Sequence, residues 1–93
     1  MPFGLAIESA KKGMKVARKG WNGKDMWVSV SPGYESFPAS SFWNPAAASF
    51  AMSNGGFADV PPCFIINTSD GKIQMGWLAS QADMLADDWY IVE

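Results

Sequence analysis

The chain has 93 residues and a net charge of −2, a length that suits one small domain whose core buries only part of its surface. Five tryptophans, six phenylalanines and six methionines exceed what such a core can hide, so we expect some to face a ligand or another copy of the chain. The absence of histidine and the single cysteine, Cys63, exclude the usual catalytic base, a zinc site and an internal disulfide.

The sequence shows neither a signal peptide nor an apolar run of the roughly 20 residues that span a bilayer. We therefore expect a soluble protein of a reducing cytoplasm, with Cys63 as a buried thiol and no membrane partner. Six of the seven basic residues lie before residue 25, where Glu8 is the one acidic residue. The acidic remainder would repel phosphates, which disfavours a long nucleic-acid partner.

The first elements in chain order are a helix and a hairpin. Phe3, Ala6, Ile7 and Ala10 recur at helical spacing and Gly13 suits a stop, which predicts a helix over residues 3–12. Residues 15–18 and 26–31 then read as strands joined by a polar, glycine-rich connection. Lys11 and Lys12 are expected to solvate the helix end.

Residues 32–62 form a variable central insertion that is rich in Ser, Ala, Gly and Pro but carries six aromatic residues. Disordered segments lack aromatics, so we expect an ordered segment. Asn44 followed by Pro45 predicts a short helix over residues 45–52, and the rest is expected to be a long loop that serves as a lid or an oligomer contact.

The last third predicts two strands, at residues 63–67 and 72–77, then a helix and a final strand from Trp89. Ser80 followed by Asp83 is typical of a helix N-terminus. The expected core side of this helix is Leu78, Ala82 and Leu85, with Ala79 and Ala86 beside them. Together these elements predict an α+β fold with a small, mostly antiparallel sheet, two main helices and the insertion, in one domain spanning residues 1–93.

The turn at residues 18–24 is the best candidate for recognition. It places Trp21, Asn22 and three cations, Arg18, Lys19 and Lys24, beside glycines that let backbone N–H groups approach a ligand. Aromatic planes stack on bases, amides read base or ribose edges, and cations bind phosphate. Trp21 as a core residue beside a tight Asn-Gly turn explains the same pattern equally well.

Catalysis has one candidate, a pair of acids formed by Asp83 with Asp87 or Asp88. Acids at such positions more often cap helices or meet solvent, and their spacing does not fit a calcium loop. Neither a Walker loop nor a dinucleotide fingerprint is present, so we expect no cofactor, no metal and no catalytic residue.

Three motifs carry a resemblance to a known family: residues 16–24 followed by Met26 and Trp27, residues 68–71, and residues 77–89. They closely resemble the phage Thoeris anti-defence sponge family, second type, over roughly the first and last 30 residues. The resemblance implies a non-enzymatic homotetramer in the cytoplasm of an infected bacterial host. Such a protein would sequester glycocyclic ADP-ribose isomers of Thoeris immunity and, in some members, cyclic dinucleotides of CBASS immunity.

The same resemblance implies binding residues, in pockets between subunits. From the turn at residues 18–24 it implies Arg18, Trp21, Asn22 and Lys24, and from the rest of the motifs Trp27, Trp77, Ser80 and Asp83. Two other hypotheses remain open, a nucleotide-cleaving enzyme that uses Asp83 or Asp88 and a structural phage protein without a ligand.

Overall fold

The computed structural model describes residues 1–21 and 25–93. The chain divides into two compact units, one formed by Met1–Ser31 with Cys63–Glu93 and the other by Pro32–Pro62. The former is called the sheet unit here and the latter the inserted unit. Whether the whole chain acts as one ligand-sequestering domain stays a prediction.

The described residues form three short α-helices, one 3-10 turn and seven strands. In chain order they are α1 (Phe3–Lys11), β1 (Lys15–Arg18), β2 (Trp27–Ser31), β3 (Tyr34–Pro38), a 3-10 turn (Ala39–Ser41), α2 (Pro45–Ser53), β4 (Phe57–Val60), β5 (Cys63–Asn67), β6 (Ile73–Met75), α3 (Gln81–Leu85) and β7 (Trp89–Val92). The sheet unit orders its strands β6-β5-β2-β1-β7, and every neighbouring pair is antiparallel. This confirms the predicted small α+β fold, in which the three α-helices of the described residues correspond to the two main helices and the short helix of the insertion.

The core of the sheet unit lies between α1 and one face of the sheet. Ala6 and Ala10 are almost fully buried, and these small side chains let the helix lie close to the strands. The sheet contributes Val16, Val28, Ile66 and Trp89, which alternation puts on a common face. The residues that precede and follow these core residues in each strand therefore point to the opposite face of the sheet.

The inserted unit has a small core of its own. Asn44 accepts a hydrogen bond from the Ala47 amide at 3.0 Å, and Pro45 occupies the first turn, so α2 begins where the sequence predicts. The helix packs through Ala51 on Ala39, Ala58 and the partly buried Phe42. Alanines bury little area, so this unit is held as much by its backbone pairing as by its core.

The expectation that the rest of the insertion is a long loop is wrong. β3 pairs with β4 in an antiparallel ribbon, with a register irregularity between Tyr34 and Phe37. Ser36, inside that irregularity, has a φ of 51° and donates its amide to the Asp59 carboxylate at 2.8 Å. Irregular strands of this kind lack the simple alternation that reveals a strand in sequence.

The expected core side of the last helix is also wrong. Leu78 is 89% exposed and Leu85 74% exposed, and Ala82 is exposed as well. The side chains that turn inward are Asp83 and Ala86. A helix of five residues has too little length for an apolar stripe, so α3 is held by its cap and by the contacts of Asp83.

Smaller differences concern element ends and Cys63. α1 ends at Lys11, β2 begins at Trp27 and β6 covers only Ile73–Met75, while β1, β5 and β7 lie where predicted. Cys63 is half-buried. Among the described residues, the helices are all too short or too polar to cross a bilayer.

Candidate binding cavity

A cavity of about 410 Å³ lies along β1, with lining residues from both ends of that strand and from β2, β5 and β7. Alternation explains which side chains line it. Lys15, Trp27 and Asn67 each stand next to a core residue of their own strand and so point away from α1, as does Val92, the cross-strand partner of Lys15. The described residues that line the cavity are Lys15, Arg18, Lys19, Trp21, Asp25, Met26, Trp27, Asn67, Tyr90, Val92 and Glu93.

The cavity wall combines cations with aromatic rings. The ammonium of Lys15 lies 5.7 Å from the centre of the Trp27 ring, within the range of a cation–π contact. Lys19 is exposed at the end of β1, and Tyr90 is 41% exposed on β7. Such a wall offers charge for an anion and flat surfaces for a planar ring.

Two acids and one amide complete the lining. Asn67 donates its side-chain amide to the carbonyl oxygen of Asp25 at 2.9 Å, which joins the end of β5 to the residues before β2. Asp25 has a φ of 61°, a left-handed conformation in which aspartate is several-fold enriched. Asp25 and Glu93 offset part of the cationic charge, so the cavity favours an anion of limited charge over a polyanion.

Arg18 lines the cavity but forms ion pairs with two acids, Asp88 and Asp83. Its Nε donates to Oδ1 of Asp88 and its Nη1 to Oδ1 of Asp83, both at 2.8 Å. These contacts raise the pKa of Arg18, chiefly through the hydrogen bond to Asp88 and then through that to Asp83. Two carboxylates more than neutralise one guanidinium, so among the described lining residues Lys15 and Lys19 are the cations left to meet an anionic ligand.

Trp21 is held by Asp83, one of the two acids that pair with Arg18. Its indole Nε1 donates to Oδ1 of Asp83 at 3.1 Å, and its ring meets Trp89 edge-on with 5.3 Å between centres. Trp77 packs edge-on against both, at 6.3 Å from Trp21 and 6.4 Å from Trp89. Trp21 therefore belongs to the core and to the cavity wall at once, and its role in ligand binding stays a prediction.

Asp83 joins these contacts to the start of α3. The Ser80 hydroxyl accepts from the Asp83 amide at 3.1 Å, and the Asp83 carboxylate accepts from the Ser80 amide at 3.2 Å, a complete capping box. Burial raises the pKa of Asp83, but the hydrogen bonds from Arg18, Trp21 and Ser80 outweigh it and hold that pKa below its ordinary value. The carboxylate stays ionised at neutral pH.

The structure thus divides the eight residues predicted to bind ligand. Arg18, Trp21 and Trp27 line the cavity. Trp77, Ser80 and Asp83 lie behind it, where they support Arg18 and Trp21. Asn22 and Lys24 lie outside the described residues.

Lys15, Asn67 and Tyr90 are lining residues that the sequence interpretation missed. The signal was present in the strands, because Lys15 and Trp27 each stand next to a core valine and must therefore point to the other face. What the sequence does not show is the strand order, which brings β7 and β5 to the two sides of this end of the sheet.

A second cavity, of about 420 Å³, lies within the inserted unit. Its lining includes Tyr34, the prolines at 61 and 62, and two acids, Glu35 and Asp59. The acids would repel a phosphate, so this cavity is a poorer match for a nucleotide. The described residues contain no group of three acids or thiols placed to hold a metal ion.

Among the described residues, fold and cavity define a small α+β protein with a cavity lined by cations and aromatic rings. The family model described as "Thoeris anti-defense 2-like domain" matches residues 1–92. The chain is also 40% identical over 95 aligned residues to "Thoeris anti-defense 2" of Bacillus phage SP01, an alignment that covers 99% of this chain and 94% of that protein. The chain belongs to the Thoeris anti-defence 2-like family, which confirms the family predicted from its motifs and supports an anti-defence role.

Proposed function

We propose that this protein is an anti-defence sponge that binds a cyclic nucleotide immune signal and holds it without cleaving it. The proposed signals are glycocyclic ADP-ribose isomers of Thoeris immunity, with cyclic dinucleotides of CBASS immunity as a second class. The protein would act in the cytoplasm of the infected bacterial host. The observation that supports the proposal is the cavity whose wall combines cations and aromatic rings.

The chemistry of the cavity matches that of a cyclic nucleotide. Lys15 and Lys19 of the cavity wall offer cations for a pyrophosphate, and Trp27 and Tyr90 offer rings on which a base can stack. A volume of about 410 Å³ falls within the roughly 300–1,000 Å³ that small-molecule sites occupy. Trp21 adds a ring already fixed by its hydrogen bond to Asp83, so little order has to be gained on binding.

The ionised carboxylates of Asp83 and Asp88 favour binding without cleavage. Hydrogen bonding, chiefly from Arg18, holds the pKa of Asp88 below its ordinary value. With the pKa of Asp83 lowered as well, both groups are weak bases at neutral pH and neither keeps a proton to donate. The alternative of a nucleotide-cleaving enzyme that uses Asp83 or Asp88 needs the opposite, a pKa near the working pH.

Homotetramer formation is part of the same proposal. The chain exposes many large apolar side chains, among them Trp43 and Leu78 at 89% and Leu85 at 74%. Surfaces of this kind are typical of protein–protein contacts. Native mass spectrometry tests the tetramer directly, and a monomer at micromolar concentration would contradict it.

The central experiment is capture and release. The protein is mixed with a glycocyclic ADP-ribose isomer or, in a parallel sample, with a cyclic dinucleotide. Each sample is filtered to remove free signal and heated, and the filtrate is then analysed by mass spectrometry. We expect the intact signal to appear only after heating. Cleaved product would favour the enzyme, and failure to retain any signal, including a cyclic dinucleotide, would favour the structural protein without a ligand.

A further inference from the structure

The Asp88 carboxylate bridges the side chain and the main chain of one turn. Its Oδ1 accepts from Nε of Arg18 at 2.8 Å, and its Oδ2 accepts from the amide of Gly20 at 2.9 Å. The main-chain carbonyl of the same residue accepts from the Lys19 amide at 3.2 Å. Asp88 therefore contacts three successive residues at the end of β1.

The turn that Asp88 holds carries two lining residues. Lys19 and Trp21 both contribute to the cavity wall, and the Trp21 amide closes the turn by donating to the Arg18 carbonyl at 3.2 Å. Asp88 itself does not line the cavity. Its influence on a ligand must therefore pass through the turn.

The Asp88 carboxylate lies so close to the main chain at Gly20 that it leaves little room for a side chain there. A Cβ atom at this position would lie 3.0 Å from Oδ2 of Asp88 and 3.5 Å from Nη2 of Arg18. The first distance is tighter than ordinary van der Waals contact, so any side chain here would push on the carboxylate. The glycine leaves the room that the Asp88–amide hydrogen bond requires.

We propose that Asp88 is a positioning residue of the cavity, and that its bidentate contact with Arg18 and Gly20 sets where Lys19 and Trp21 meet the ligand. This inference rests on the proposed sponge function. An asparagine at position 88 can present one acceptor oxygen, so one of the two donors would face its NH₂ group. The turn would lose one of its two side-chain anchors.

Three full-length variants test the inference: Asp88→Asn, Gly20→Ala and their double variant. Asp87→Asn is the matched control, because it removes the same charge one residue away at an exposed position. Affinity for a glycocyclic ADP-ribose isomer and for a cyclic dinucleotide is measured by calorimetry, well below the melting temperature of each variant. We expect Asp88→Asn and Gly20→Ala each to weaken binding about tenfold, which corresponds to about 1.4 kcal/mol, and Asp87→Asn to change it less than about twofold.

The double variant separates positioning from a general loss of stability. Both substitutions disturb the contact between the Asp88 carboxylate and the Gly20 amide. The affinity of the double variant should therefore be close to that of the single variant with the lower affinity. Additive losses would overturn the inference, as would wild-type affinity in Asp88→Asn or in Gly20→Ala. If Asp88→Asn failed to fold, Gly20→Ala would still decide the matter, because it keeps both charged groups. A wild-type protein that bound neither probe would instead refute the sponge function, and this inference with it.

Discussion

Trp21 and Asp83 are 62 residues apart in sequence, yet the indole nitrogen of one lies 3.1 Å from a carboxylate oxygen of the other. That hydrogen bond uses the one donor that an indole ring has. Trp21 can therefore offer a ligand only its ring surface. We infer that its part in recognition is stacking, which tolerates any base, and that base preference comes from other residues of the wall.

The first prediction separates the two tryptophans of the cavity. Trp27→Ala should weaken signal binding by about 1–3 kcal/mol, the contribution of one stacked base, with little change in melting temperature, because Trp27 lies on the sheet face opposite the core. Trp21→Ala should weaken binding and also lower the melting temperature, because its ring packs on Trp89. Calorimetry and thermal unfolding measure the two effects. Equal stability losses in both variants would contradict this division.

The second prediction concerns salt. Lys15→Ala and Lys19→Ala should each weaken binding and reduce its dependence on ionic strength, because each removes a cation from the cavity wall. Lys12→Ala is the control, since this lysine is exposed just after α1 and outside the cavity lining. Affinity is measured between low and high salt. A Lys12 variant with the same loss would mean that net charge, and not the cavity, attracts the signal.

The third prediction concerns acid. The pKa values of Asp83 and Asp88 are lower in the folded chain than in the unfolded one, so their contribution to stability is complete above the unfolded value of about 3.9. It is lost as pH falls through the lower folded values. The urea midpoint should therefore hold steady from neutral pH to about pH 5 and fall below about pH 4.

An Asp83→Asn variant checks the source of that acid sensitivity. It should be less stable at neutral pH and should lose less on acidification than the wild type, because the titrating group is gone. Asp70 also has a lowered pKa, through hydrogen bonds from Thr68 and Lys72, and it should account for part of the remaining slope. An unchanged pH profile in Asp83→Asn would show that its carboxylate does not contribute as described.

The fourth prediction tests the cap of α3. Ser80→Ala removes the acceptor for the Asp83 amide and should lower the free energy of unfolding by about 1 kcal/mol. Ser80→Thr keeps an acceptor oxygen and should restore most of it. Denaturant unfolding measures both. If the threonine variant unfolded as easily as the alanine variant, the hydroxyl would not be acting as a cap.

The fifth prediction concerns the inserted unit. A Cβ at Gly33 would lie 2.3 Å from the Val60 carbonyl oxygen and 2.9 Å from the Pro62 nitrogen, both backbone atoms that cannot turn aside. Gly33→Ala should therefore destabilise this unit by about 1–3 kcal/mol. Gly4→Ala is the matched control: it lies in α1 with open space around it and should stabilise the chain by about 0.5–1 kcal/mol. Thermal unfolding of both variants should show opposite shifts.

The sequence predicts the sheet unit well because its strands are regular. β5 is a short apolar run that ends at a turn, and β1 is a short segment bounded by Gly13 and Gly20. In the inserted unit, Asn44 with Pro45 marks the start of α2 through chemistry that acts within a few residues. The family motifs also pick out the Arg18 turn and the Asp83 segment, which the structure brings together.

The features that the sequence did not predict correctly depend on contacts between residues far apart in the chain. Leu78 and Leu85 look like core residues by spacing, but a five-residue helix is placed by its acid and its cap, and the leucines stay exposed. Lys15 becomes a cavity residue only because β7 pairs with β1 and carries Tyr90 to the same face. Local patterns do not contain that strand order, so the composition of the wall could not be read from them.

The pairing of Arg18 with Asp88 links positions 70 apart along the chain. Closing so long a loop costs chain entropy that local contacts do not repay, so this part of the protein should form late during folding. The cavity wall depends on that same closure. A chain that has formed only its early, local structure would therefore have no affinity for the signal, and recovery of binding after dilution from urea should track the last folding phase.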